Sequence, residues 1–248
     1  MSNINDSYFD GQYKDIWKAL TPADLTIKET DFIVQYFGLQ PGNRVLDLMC
    51  GYGRHALALA EKGIEVTAVD NLADYIDEIK NTAAGKGLPV EAIQADAASY
   101  TAVGNYDLAI CMGNSINFFP EKDVNHIIAT VAASLKPGGA FLINSWSLAE
   151  IAIPQFRAKT WSPLGELKFI TDSKFLFQPT RIESETLMLS PDGSSETKMA
   201  IDYVYSVAEM EKMFEAAGLR LKEMYSFPGR KKFAVGDSRV YMIAEKPQ

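Results

Sequence analysis

The sequence predicts an α/β fold with a mostly parallel, Rossmann-like sheet carrying helices on both faces, and three observations predict it. Short, almost wholly apolar runs alternate with helical patterns through the first 145 residues, as in strands buried on both faces of a sheet. A Gly-rich turn or an acid closes each of the first three runs. Two further runs close the chain with a link too short for a helical crossover, so they form an antiparallel pair.

Taken in order, Val45-Leu46-Asp47-Leu48 is a buried strand ended by the turn at Gly51 and Gly53. A helix follows through Ala56-Leu57-Ala58-Leu59-Ala60 and ends near Gly63. Glu65-Val66-Thr67-Ala68-Val69 is the second strand, stopping at Asp70, and a helix over 72–86 ends before Gly87-Leu88-Pro89. Residues 90–95 form the third strand, ending at Asp96, and 107–112 the fourth. Val124, Ile127, Ile128, Val131 and Leu135 recur at helical spacing until Pro137-Gly138-Gly139, and 140–144 form the fifth strand.

The pattern changes after Ser145. Between about residues 168 and 205 lie three β-rich runs, the last two separated by Pro191-Asp192-Gly193, which is hairpin turn chemistry. In the last run Met199, Ile201, Tyr203 and Tyr205 alternate with Ala200, Asp202 and Val204, so one face is buried and the other exposed. Met210, Met213, Phe214 and Ala217 restore helical spacing before the closing strands at 219–227 and 239–245. The expected organisation is an N-terminal helical cover (1–42), a nucleoside-binding unit (43–145 with 207–248), and a β-rich insertion (146–206) lying over the sheet edge as a substrate lid.

Composition narrows the function. The 248 residues carry a net charge of -8 with a pI near 4.9, against the excess of Lys and Arg that phosphate contacts need. Arg230-Lys231-Lys232 is the one basic cluster and reads as a solvated loop. No apolar run is long enough to span a bilayer, and the first residues lack a signal-peptide pattern. Cys50 and Cys111 read as free thiols of a reducing compartment. A cytoplasmic protein with no nucleic-acid or membrane partner and no metal is expected; its oligomeric state is not encoded in any pattern found.

Gly51-Tyr52-Gly53-Arg54-His55-Ala56 fits G-x-G-x-x-G/A, and Asp70 stands 19 residues beyond Gly51 at the end of the next strand. Glycines allow the tight turn and close ligand approach, and the acid accepts ribose hydroxyls. A dinucleotide would put its pyrophosphate at this loop, yet Asp47 lies four residues before Gly51 and would oppose it. A ligand with a sulfonium and an ammonium against one carboxylate suits an acid there.

These residues resemble the class I methyltransferases that use S-adenosylmethionine (SAM) and release S-adenosylhomocysteine. Val45 to His55 is similar to the first motif of that family and Val66-Thr67-Ala68-Val69-Asp70 to the second. Gln94-Ala95-Asp96-Ala97 resembles the adenine-holding segment, Tyr106 to Met112 the fourth-strand motif, and Leu135 to Ile143 the approach to the fifth strand. The resemblance is dense over 43–145 and thinner beyond it. It implies a seven-stranded sheet, with which the closing antiparallel pair agrees. The family commonly has glycine where Met49 stands, a departure of little consequence if that backbone is unstrained.

The resemblance makes Asp47, Cys50, Gly51, Gly53, Arg54, Asp70, Asn71, Asp96, Ala97 and Met112 candidate cofactor residues. Arg54 is suited to the methionine carboxylate or to Asp47. In related small-molecule enzymes an N-terminal segment with tyrosines covers the cofactor, so Tyr8, Tyr13 and Trp17 are candidates to offer ring faces to a sulfonium; packing of an amphipathic helix on the sheet is the competing reading. Methyl transfer needs alignment more than a nucleophile. Candidates near the reacting atoms are Asn114 and Asn117, which could orient an acceptor or form Asx turns, and His55, as a base or a packed side chain. Trp161, Arg157, Tyr203 and Tyr205 are the candidates from the insertion, and His126 reads as solvent-facing. The expected activity is methylation of N or O on a small molecule. An NAD(P)-dependent oxidoreductase and a non-catalytic SAM-binding protein are the alternatives.

Overall fold

A computed structural model describes residues 3–164, 166–227 and 231–248. Its central sheet is built from β1 (Arg44–Leu48), β2 (Glu65–Asp70), β3 (Val90–Gln94), β4 (Tyr106–Cys111), β5 (Leu135–Ser145), β10 (Arg220–Phe227), β11 (Lys231–Lys232) and β12 (Val240–Glu245). Their order is β11-β10-β12-β5-β4-β1-β2-β3. The pairs β1·β2, β1·β4, β2·β3 and β4·β5 are parallel, while β12 runs antiparallel to β5 and β10 antiparallel to β12. The expected seven strands are therefore present, with the two-residue β11 as an added edge. Strand order reverses between β1 and β4, the switch point at which open α/β sheets bind ligands.

Side chains alternate across the sheet into two cores. Leu46, Ala109 and Phe141 meet α5 (Glu121–Ser134) and α7 (Val207–Ala216) through Ile127, Val131 and Phe214. Val45, Leu108 and Leu142 meet α2 (Ala23–Phe37), α3 (Arg54–Ala60) and α4 (Ala73–Lys86) through Ile33, Leu59 and Ile79. Residues such as Val45, Leu108 and Phe141 are fully buried, and each such side chain contributes roughly 1.5–3 kcal/mol on leaving water.

The insertion is richer than its sequence pattern. It opens with the short helix α6 (Ala149–Gln155), and to the three expected runs, β7 (Leu167–Phe177), β8 (Thr180–Leu189) and β9 (Ser195–Tyr203), it adds β6 (Lys159–Leu164). These form a separate antiparallel sheet in the order β6-β7-β8-β9. β6 escaped notice because Lys159-Thr160-Trp161-Ser162-Pro163 has no apolar alternation. In β9 the buried face carries Ala200 and, just past the strand, Val204, whereas Met199 is 41% exposed. The smaller residues turn inward, and Asp202 shares their face.

The first residues run across the top of the central sheet. After a turn at Ile4–Ser7 comes α1 (Gln12–Leu20), whose Tyr13 and Ile16 pack on Met188 of β8 with Phe169 of β7 alongside. No helix among the described residues is long and apolar enough to cross a membrane.

Candidate functional site

At the switch point the carboxyl ends of β1 to β4 surround a solvent-connected cavity that, with the open space at its mouth, encloses about 930 Å³. Of the candidate cofactor residues, Trp17, Asp47, Cys50, Gly51 and Arg54 line it, and so do Asp70, Asn71, Asp96, Ala97 and Met112. Gly53 and Tyr13 do not.

Asp47 is 1% exposed, and its Oδ2 is buried with no hydrogen-bond partner. Burial pushes its carboxyl up to about 7; the nearby charge of Asp70 adds to this and Arg54 opposes it. A desolvated carboxylate without a cation is costly, so this oxygen suits a ligand ammonium. Asp70 closes the β1–α3 loop, its Oδ2 accepting Gly51 N–H at 2.8 Å and its Oδ1 Leu72 N–H at 3.0 Å. Each oxygen keeps a further lone pair for a ribose hydroxyl. Past β3, Asp96 Oδ1 accepts the amide of Ala98 at 2.9 Å, while the amides of Ser99 and Tyr100 fold back on the Asp96 carbonyl. The Ala97 N–H takes no part in this turn.

The two loop glycines separate into different roles. A Cβ at Gly51, where φ is +56°, would meet nothing within 4 Å, leaving room at the cavity. At Gly53 a Cβ would stand 2.5 Å from Ile79 Cγ1, with φ at +77°. Gly53 is therefore a packing glycine that lets α3 approach α4. Met49 has φ of +56°, so the backbone there is in the left-handed region and glycine's absence does matter, by roughly 1–2 kcal/mol.

Arg54 does not pair with Asp47. Its Nη1 lies 2.5 Å from Oε2 of Glu29 and 3.2 Å from Oγ1 of Thr26, both on α2. Glu29 is 2% exposed and also receives His55 Nε2 at 3.0 Å and the Tyr241 hydroxyl at 2.6 Å. Burial alone would raise the Glu29 carboxyl, but its partners His55, Arg54 and Tyr241 outweigh it and hold it at about 2. Burial, helped by Arg54, lowers the His55 pKa, so the imidazole is neutral and donates Nε2–H to Glu29. His55 borders the cavity with Nε2–H committed to Glu29, which leaves Nδ1 as its unprotonated nitrogen. Glu29 was missed by sequence reasoning because a lone acid in an amphipathic helix carries no signal.

Asn114 and Asn117 are fully buried and are not among the residues lining the cavity, although their chain neighbours Gly113, Ser115 and Phe118 are. Asn114 Oδ1 accepts Ser145 Oγ and the amides of Trp146 and Ser147, and its Nδ2 donates to Ser147 Oγ at 2.8 Å and Asp202 Oδ1 at 2.7 Å. Asn117 donates to the Tyr203 carbonyl and accepts Ser145 Oγ, both at 2.8 Å. Both amides are engaged in fastening the insertion to the end of β5, so neither is free here to bond an acceptor directly. Tyr205 is buried and donates to the Phe119 carbonyl at 2.7 Å. Trp161 is 62% exposed and Arg157 is exposed. Tyr203 packs against the core, and none of these four lines the cavity. His126 faces solvent.

Residues 3–9 roof the cavity. Asn3 and Asn5 donate to the Phe118 carbonyl at 2.8 and 3.1 Å, Asn5 exchanges hydrogen bonds with the Ile201 backbone of β9, and Asn71 Nδ2 donates to Asp6 at 2.9 Å. Asn3, Asn5, Asp6, Phe9 and Trp17 thus contribute to the lining from above. Tyr8 and Tyr13 pack toward the insertion instead. Of the predicted basic cluster, Arg230 lies outside the described residues, Lys232 pairs with Glu223 at 3.1 Å and Lys231 pairs with Asp237. The described residues hold no His, Cys, Asp and Glu group able to bind a metal.

Comparison with known proteins matches residues 45–139 to the methyltransferase domain family. The glycine/sarcosine N-methyltransferase of Halorhodospira halochloris is 30% identical over 146 residues, which cover 57% of this chain and 54% of that one. The chain spans about half the length of the curated relatives it matches. Two solved structures share the fold over nearly their whole length. The CcbJ methyltransferase of Streptomyces caelestis has a TM-score of 0.84 at 18% identity, covering 98% of this chain and 99% of its own. A SAM-dependent methyltransferase of Clostridium acetobutylicum ATCC 824 has 0.81 at 19%, covering 95% and 96%.

Proposed function

We propose, from the match of residues 45–139 to the methyltransferase domain family and the fold shared with SAM-dependent methyltransferases, that this chain transfers a methyl group from SAM to N or O of a small molecule held beneath the insertion. The observation that carries the reading is the unpartnered Oδ2 of Asp47 in an acid-lined cavity. Asp6, Asp47, Asp70 and Asp96 line that cavity against a single cationic side chain, Arg54, itself paired with Glu29. Such a site favours a net cationic ligand and opposes a pyrophosphate.

In this reading Asp47 takes the ammonium of SAM, and the N–H groups that Arg54 keeps beyond its α2 contacts take the carboxylate. Asp70 takes the ribose hydroxyls, while Asp96 and the Ala97 amide take the adenine. SAM supplies a methyl carbon already activated by its sulfonium, so the protein's own work is alignment and exclusion of water. The roof of residues 3–9 serves the second task. The relative's name, a glycine/sarcosine N-methyltransferase, supports nitrogen as the acceptor atom.

The test is incubation with methyl-labelled SAM and a panel of small amines and hydroxyl compounds. Transfer of label to a panel member is expected. NAD(P)-dependent turnover with no use of SAM would overturn the proposal.

A further inference from the structure

The inward face of the insertion sets polar side chains among apolar ones such as Met188 and Ala200. Cross-strand pairing sets Asp202 of β9 opposite Ile182 of β8, and Ile182 opposite Phe175 of β7. Further along the same face Ser173 meets Ser184 at 2.8 Å and Thr171 meets Thr186 at 3.3 Å. Tyr8 donates to Thr186 at 3.5 Å, and Tyr13 packs edge-on to Phe169 at 6.4 Å.

Aromatic rings connect this face to the cavity. Tyr13 stacks on Trp17 at 6.4 Å, and Trp17 lies 6.3 Å from Trp146. Trp17 Cζ2 stands 3.7 Å from the point a Gly113 Cβ would occupy, at the carboxyl end of β4, and both residues line the cavity.

Asp202 sits where the insertion meets that wall. Its Oδ1 accepts Asn114 Nδ2 at 2.7 Å and Ser147 Oγ at 3.2 Å. Gly113 and Ser115, the chain neighbours of Asn114, line the cavity. Among the described residues nothing donates to its Oδ2, and no cation pairs with it. It keeps some accessible surface, yet burial pushes its carboxyl up to about 6 against the hydrogen bonds from Ser147 and Asn114. A carboxylate so desolvated, with neutral partners only, is completed by a cation. The surrounding ring faces also attract one. A neutral alcohol would satisfy neither feature.

We infer that the acceptor subsite lies where the insertion meets the Gly113–Ser115 wall of the cavity, that it takes a small protonated amine, and that Asp202 receives its nitrogen. The inference rests on the methyl-transfer reading and narrows its acceptor from N or O to an amine. The ammonium passes one proton to the Asp202 carboxylate, giving a neutral amine and a carboxylic acid. The nitrogen lone pair then forms the new C–N bond as the methyl C–S bond breaks, with that electron pair kept by sulfur. Positive charge moves from sulfur to nitrogen, so atoms and charge balance.

The test titrates the protein loaded with S-adenosylhomocysteine with trimethylammonium chloride and, separately, with tert-butanol, its neutral isostere, following tryptophan fluorescence. Wild type should bind the cation at least about tenfold more tightly than the alcohol. Asp202→Asn should lose that preference while its affinity for S-adenosylhomocysteine stays within about twofold, which also shows that it is folded. Equal binding of the two probes by wild type would overturn the inference with no variant needed, as would a cation preference that survives in Asp202→Asn. Failure of wild type to bind S-adenosylhomocysteine would instead overturn the methyl-transfer reading.

Discussion

Replacing Asp47 by Asn should move stability and ligand affinity in opposite directions. In the folded protein the carboxyl is pushed from 3.8 to about 7, so the folded state holds its proton more tightly than the unfolded chain. The empty protein therefore loses stability as pH rises from about 4 through 7. The full shift corresponds to about 4 kcal/mol at pH 8. The Asn amide removes this dependence but returns roughly 1–3 kcal/mol, because its NH₂ needs an acceptor in the same buried place. Urea unfolding at pH 8 should thus find empty Asp47→Asn about 2 kcal/mol more stable than wild type, with the gap closing and reversing toward pH 5. SAM affinity should fall roughly 10- to 100-fold, the loss of one charge-assisted hydrogen bond. A variant less stable than wild type at pH 8, or one that binds SAM as well, would refute the reasoning.

Glu29→Gln should destabilise the protein by about 3 kcal/mol at pH 7, because Arg54 loses its buried counter-charge. Glu29 falls from 4.5 to about 2 on folding, so the difference from wild type should shrink as pH drops from about 4.5 toward 2, read by denaturant unfolding. The same variant should weaken SAM but not 5′-methylthioadenosine, which lacks the carboxylate that Arg54 is placed to meet; equal weakening of both, by calorimetry, would remove the positioning role. Gly53→Ala meets Ile79 Cγ1 at 2.5 Å in a left-handed backbone and should cost about 2–4 kcal/mol. Thermal unfolding within 1 °C of wild type would contradict that packing.

The parallel sheet was legible because its strands are buried on both faces, so Val45, Leu108 and Phe141 announce themselves as apolar runs bounded by turns. The acids at the ends of β1, β2 and β3 were legible for a related reason: a polar residue at the end of an apolar run has few reasons to be there. The insertion was not. β6 and α6 lack periodicity, and β9 turns its smaller face inward where it packs with the turn at Ile4–Ser7 and residues 115–118. Asn114 and Asn117 look from sequence like groups facing a ligand, yet their amides are consumed by Ser145, Ser147, Tyr203 and Asp202, residues distant in sequence. Glu29 and Asp202 gain their significance only from partners on other elements. The donor side of the cavity follows local motifs and could be read; the acceptor side is assembled from tertiary contacts and could not.

The central claim is that the acid-lined cavity selects a cationic nucleoside over a pyrophosphate. Calorimetric titration of wild-type protein with SAM and with NADH at pH 8, where Asp47 is ionised, tests it most directly. SAM should bind with one site per chain and at least about tenfold more tightly than NADH, a margin of about 1.4 kcal/mol. NADH binding as tightly as SAM, or no heat with SAM, would contradict it.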